Sequence, residues 1–258
     1  MRKVNFWVLT ALMLLPTTLM AQENDSKDVE AYVEASLVSH YMWRGIDMEG
    51  VSLQPEAGVT WQGLSLTAAG STGFQKGDLQ EIDLTLGYRK WGFNIGVTDY
   101  WTNGVDEKNR YFYYDEQKTP HQLEANLGYT CKYGSIQAYT MFWGHDFKAD
   151  GDRAYSTFIE LSVPFRAGGL DWDVRAGVTP MESAGTKTVI VPDGAFDGFG
   201  IVQYDYMYGG KFTCNMASIR ATKTLEYNNV KVPVFAEFHA NPELKTANFL
   251  VGISVIAF

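Results

Sequence analysis

From Val29 onward the chain repeats one pattern. Apolar residues hold every second position and polar residues the positions between, over roughly 12 segments of 10 to 13 residues. The first segment sets Val29, Ala31, Val33, Ala35 and Leu37 against Glu30, Tyr32, Glu34 and Ser36. The last, Ala247 to Phe258, carries Phe249, Val251, Ile253, Val255 and Ala257 on one face and ends on an aromatic residue. A period of two places successive side chains on opposite faces of a strand, so each segment lies between an apolar and a polar environment. An open apolar edge strand invites pairing with other chains, and closure of the last strand onto the first removes it.

The connections alternate in length. Short turns fall at Gln62-Gly63, Lys90-Trp91-Gly92, Lys132-Tyr133-Gly134, Pro164 to Gly169 and Asn228-Asn229; long connections include 102–121 and 180–210. Tyr204, Tyr206 and Tyr208, in the second of these, are expected to extend a strand beyond the membrane. Arg44 to Gly50 reads as a loop after a first strand that runs on to Trp43. Outer-membrane barrels have short periplasmic turns, long external loops and an even strand number. The expected fold is therefore all-β, a transmembrane antiparallel up-and-down barrel of about 12 strands over 29–258. Two bands of rings agree with it. Trp61, Tyr88, Trp91, Tyr129, Phe165, Trp172, Tyr227 and Phe258 fall at the short-turn end; Tyr41, Trp43, Phe74, Trp101, Phe142, Trp143 and Phe238 fall at the other.

Residues 1–21 read as an export signal: Arg2 and Lys3, an apolar run from Phe6 to Leu15, and a small residue at Ala21, followed by a polar lead over 22–28. The run is too short for a spanning helix, which needs about 20 apolar residues. Removal of the signal leaves 19 Lys+Arg against 30 Asp+Glu, a formal charge of −11. That balance argues against a nucleic-acid partner, which demands a basic footprint. Cys131 and Cys214 form neither a disulfide framework nor a zinc signature, and the topology puts them at opposite ends.

The stretch Ser39-His40-Tyr41-Met42-Trp43-Arg44-Gly45-Ile46, followed by Gln54 to Trp61, resembles the opening of the Gcw_chp or TorF-type porin family of Gram-negative bacteria. Met42 replaces a usual aromatic, and Pro55 follows Gln54. Tyr41, Trp43, Arg44 and Gly45 carry the likeness. It implies an exported outer-membrane barrel of porin type and brings no catalytic residue.

Ionisable groups at membrane depth must face a wet or paired interior. Glu34, Glu81, Asp83, Arg89, Glu124, Glu160, Asp173, Arg175, Arg220 and Glu237 are accordingly the expected pore lining. Small neighbours such as Ser65, Thr67, Gly96 and Gly128 are expected to leave room for water. The function expected is passive diffusion of small solutes, with the acidic excess favouring cations. Its partners are outer-membrane lipid, the solutes, and the barrel-assembly machinery acting on the strand that ends at Phe258. Two alternatives stand beside it: a closed structural or adhesion barrel acting through tyrosine-rich loops, and a lipid hydrolase at the rim. The second rests on His40, His121, His145 and His239 near that rim, with His40 and His239 close in strand order. No G-x-S-x-G elbow or metal-ligand spacing accompanies them, so no catalytic residue, metal or cofactor is assigned.

Overall fold

The computed structural model describes residues 29–105, 108–115, 118–190, 201–227 and 230–257. The expected signal over 1–21, the lead over 22–28, the Asn228-Asn229 turn and Phe258 lie outside them.

Twelve strands form a closed antiparallel barrel. In order around the wall they are β1 (Glu30–Val38), β4 (Ser52–Trp61), β5 (Leu64–Gly73), β6 (Gln80–Lys90), β7 (Phe93–Thr102), β8 (His121–Cys131), β9 (Gly134–Gly144), β10 (Thr157–Ala167), β11 (Leu170–Thr179), β14 (Thr213–Tyr227), β15 (Val230–Asn241) and β16 (Thr246–Ala257). The last strand pairs with the first, Val33 opposite Ala257 and Val38 opposite Gly252. Inside that seam Ser36 Oγ and Ser254 Oγ lie 2.6 Å apart. Closure leaves no free edge.

Alternation sorts the two faces. Val33, Leu37, Leu66, Leu86, Ile95, Leu127, Val163 and Val251 are exposed on the outside. Their neighbours Tyr32, Glu34, Thr67, Thr98, Ser162 and Leu250 are buried within. An apolar exterior of this extent is far larger than a soluble monomer presents, and it suits a wall bathed in lipid. No helix of the described residues is long and apolar enough to cross a membrane. Lys223, on the outer face, reaches the short-turn end and donates to the Gly169 carbonyl at 3.1 Å, which takes its charge out of the apolar band.

Turns and prolines follow the local geometry. Gln62 and Gly63 have φ of 49° and 85°, and Trp91 and Gly92 have 52° and 81°, the paired positive values of tight hairpins that match strand twist. The turn after β10 is Gly168-Gly169 rather than a longer Pro164–Gly169 segment, because β10 continues through Pro164. Beyond Ser162 its register with β9 ends, so the missing proline N–H leaves no gap in a ladder. Pro55 and Pro233 sit at similar interruptions of the β4–β5 and β15–β16 registers.

Two further hairpins belong to no wall: β2 (Tyr41–Trp43) with β3 (Ile46–Glu49), and β12 (Gly185–Ile190) with β13 (Ile201–Tyr206). The expected extension of a wall strand by Tyr204 and Tyr206 is thus corrected. β13 pairs with β12 in a separate two-stranded sheet.

Candidate functional site

The first connection does not stand outside the barrel. β1 stops at Val38 because Ser39 turns to β16: its N–H donates to the Val251 carbonyl at 2.9 Å, and its hydroxyl accepts from Val251 N–H at 3.0 Å. The bend sends β2 and β3 into the lumen, where the expected continuation of the first strand to Trp43 would have left them at the lipid boundary. Tyr41 and Trp43 are therefore not members of the outer aromatic band. Tyr41 donates to Glu81 Oε1 of β6 at 2.5 Å, and the Trp43 ring lies edge-on to Tyr100 of β7 at 6.2 Å.

The hairpin spans the lumen. Met42 packs against Val38, Phe235 and Leu250 on one side. Trp43 and Ile46 pack against Phe158, Tyr208 and Met216 on another. Its two-residue turn is Arg44-Gly45, with φ of 49° and 88°. A side chain at Gly45 would collide with the Asn215 carbonyl, and Asn241 Nδ2 donates to the Gly45 carbonyl at 3.0 Å.

Arg44 is the anchor. Its Nη1 donates to Glu124 Oε2 at 2.5 Å and its Nη2 to Glu124 Oε1 at 2.6 Å, a two-pronged pair. Nη1 also donates to Tyr208 Oη at 2.8 Å. The guanidinium carbon lies 4.1 Å from the Tyr139 ring centre, 4.7 Å from Trp43 and 5.5 Å from Phe158. Burial alone would depress the guanidinium pKa; the Glu124 charge more than offsets this, and it rises. Burial likewise holds the Tyr208 phenol well above its ordinary value, so it stays neutral and accepts. Tyr208 is placed from the long connection, where the Ser183 hydroxyl accepts its N–H at 2.9 Å.

The interior has two unlike charged walls. On the β1–β8 side Glu34, Glu56, Glu81, Asp83 and Glu124 face inward. Ser36 donates to Glu34 at 3.0 Å, Tyr32 donates to Glu56, and Tyr100 donates to Glu124 at 3.0 Å. Among the described residues only Glu124 of these five has an ion-pair partner within 4 Å, and Arg44 brings it; Glu34 feels the charge of Arg220 from farther off. On the β11–β15 side the charges compensate each other. Glu237 pairs with Arg220 at 2.6 Å and Arg175 at 3.3 Å, and Asp173 pairs with Arg175 at 2.8 Å. Glu160 on β10 and Arg89 on β6 also take interior positions in their strands' alternation.

Small residues do not all leave space for water, contrary to expectation. The pit at Gly128 is filled by the Gln137 side chain, which exchanges hydrogen bonds with Asn94 at 3.0 and 3.1 Å. The pit at Gly177 is filled by Phe158.

The histidines go to separate places. His40 lies 3.4 Å from Asp47, and His239 lies 3.4 Å from Glu237. His121 is buried, with Nδ1 2.8 Å from Asp99 and Nε2 2.5 Å from the Tyr111 carbonyl. The His145 ring stands 6.4 Å from that of Phe147. Cys131 and Cys214 are unpaired.

Sequence reasoning found the two faces but missed the hairpin's inward turn. The signal available was the motif itself, whose Arg-Gly pair interrupts an otherwise regular alternation.

No model of a known protein family matches the chain, and no curated protein matches it. Solved structures similar to it are barrels. An outer membrane channel from Pseudomonas putida F1 is 11% identical, with 89% of this chain and 93% of that one covered and a TM-score of 0.38. OprB of Pseudomonas putida is 9% identical over 89% and 93%, with a TM-score of 0.36. CdiB from Acinetobacter baumannii is 9% identical with a TM-score of 0.36, and the chain spans 60% of its length.

Proposed function

We propose that the protein is an outer-membrane channel for small cationic solutes, held closed in this conformation by the β2–β3 hairpin. The observation that carries the reading is the acidic wall, of whose five carboxylates only Glu124 is in a close ion pair among the described residues. Carboxylates enclosed in a membrane protein are costly unless water or cations reach them. A barrel serving only as a scaffold has no need of five on one side, with one arginine delivered by a loop. That arginine is a constituent of a segment outside the wall, so its departure leaves an acid-lined passage. The resemblance of Ser39 to Ile46 to the Gcw_chp or TorF-type porin family supports the same reading, as does the apolar exterior. The acidic wall favours cations through its local field.

A second reading is favoured by one observation: the hairpin holds opposite sides of the barrel at once, packing Met42 on β15 and β16 and pairing Arg44 with Glu124 on β8. On that reading the barrel is permanently closed and acts through its external loops. A hydrolase gains nothing from the histidines, since none of the partners described above is a serine hydroxyl.

Single-channel recording of the refolded protein in a planar bilayer separates these. Rare openings in the native protein, frequent ones after Glu124→Gln, and a cation-selective reversal potential are expected. Silence in the native protein, in Glu124→Gln and after replacement of 40–49 by a short Gly-Ser link would establish the closed barrel instead.

A further inference from the structure

The surroundings of Arg44 have the form of a ligand site. Glu124 presents one oxygen to each terminal nitrogen of the guanidinium, at 2.5 and 2.6 Å. Tyr139 lies under the group at 4.1 Å and Phe158 at 5.5 Å, and Tyr208 accepts from its edge at 2.8 Å. Tyr100 holds the carboxylate from behind at 3.0 Å. Tyr100, Glu124, Tyr139 and Phe158 stand on β7, β8, β9 and β10, four adjacent wall strands. Only Trp43 comes from the hairpin itself. The rigid wall thus prepares most of the cage before Arg44 enters.

Chemistry narrows what such a cage accepts. A planar cation with two parallel N–H donors uses both carboxylate oxygens and stacks on a ring at once. An ammonium is a compact point charge and makes one such contact.

We propose that this cage is a guanidinium-binding site which the chain fills with Arg44, and that guanidinium-bearing solutes compete with Arg44 for Glu124. That such solutes also open the passage rests on the channel reading above; the binding itself does not.

Calorimetry with methylguanidinium tests the binding on three detergent-refolded proteins: native, Arg44→Ala, and Arg44→Ala with Glu124→Gln. Methylurea serves as the neutral isostere, and gel mobility with and without boiling verifies that each barrel is closed. Saturable binding to Arg44→Ala, at least tenfold tighter than to the double variant and not seen with methylurea, is expected. Equal heats for the single and double variants would overturn the proposal. Should Arg44→Ala not close, the native protein decides. Hydrogen exchange over 41–49 is expected to quicken with methylguanidinium and not with methylurea at equal concentration, and equal effects would overturn the proposal. Conductance on the same samples is read separately. Binding without current removes the channel reading and leaves the site, whereas current without binding does the reverse.

Discussion

The two charged walls of the lumen solve the same problem differently. On β11, β14 and β15 each charge is neutralised by a neighbour of the wall: Glu237 lies between Arg175 and Arg220, and Arg175 also holds Asp173. On β1, β4, β6 and β8 the carboxylates have hydroxyls for company, and the one cation paired with them among the described residues belongs to a loop. Compensation within a wall is permanent, since it moves only if the barrel unfolds. Compensation by a hairpin can be withdrawn. Damage to the first wall should therefore register as lost stability, and damage to the hairpin's hold as altered access to the lumen.

The largest expected effect falls on the self-compensated wall. Glu237→Ala leaves two guanidinium groups facing each other without their shared carboxylate, and stranding partners of an enclosed pair costs about 3 kcal/mol. Urea unfolding in detergent micelles, followed by loss of the fast-migrating gel form, measures it. Glu56→Ala, which removes a carboxylate with no cationic partner among the described residues, should cost clearly less. Equal losses would end the distinction between the walls.

Gly45→Ala comes next. Its methyl would press on the Asn215 carbonyl while the backbone sits at a φ of 88°, a combined penalty of about 2 kcal/mol directed at the hairpin. Exchange over 41–49 should quicken by roughly 30-fold, on a scale where 1.4 kcal/mol is tenfold. The urea midpoint of the barrel should hardly move. A coupled fall in both would mean that the hairpin is part of the wall's structure. Glu124→Gln removes one charge-assisted contact and keeps the other atoms, so about 1.5 kcal/mol and a roughly tenfold rise in exchange are expected.

Much of this was legible before the fold was seen, and the limits of legibility are physical. A strand between lipid and an enclosed interior must alternate, so Val33, Glu34, Ala35 and their counterparts declare their faces directly. Lys223 breaks that alternation on the apolar face, and only the fold shows that its amine reaches the Gly169 carbonyl. The hairpin was hidden for a related reason. Tyr41, Met42 and Trp43 continue the alternation of β1, and aromatic residues at a strand's end suit a lipid interface as well as a lumen. What redirects them is Ser39's bond to Val251, a contact with the other end of the chain. Gly128 misled in the same way. Its small size predicts a void, and which neighbour fills it depends on cross-strand register.

The smallest effect concerns selectivity, and it tests the acidic wall by itself. Glu34 and Glu56 are both buried, and they lie opposite each other on β1 and β4. In a Glu124→Gln background, where the passage is expected to be open, adding Glu34→Gln and Glu56→Gln deletes two charges without altering shape. The cation-over-anion preference, read as a reversal potential across a tenfold salt gradient at low ionic strength, should fall roughly twofold, because a focused local field sets it. At 1 M salt, where the screening length shrinks to about 3 Å, native-wall and neutralised channels should converge. A preference unmoved at low salt would place selectivity elsewhere, and the hairpin's arginine would then be closing a passage whose acidic lining serves only the fold.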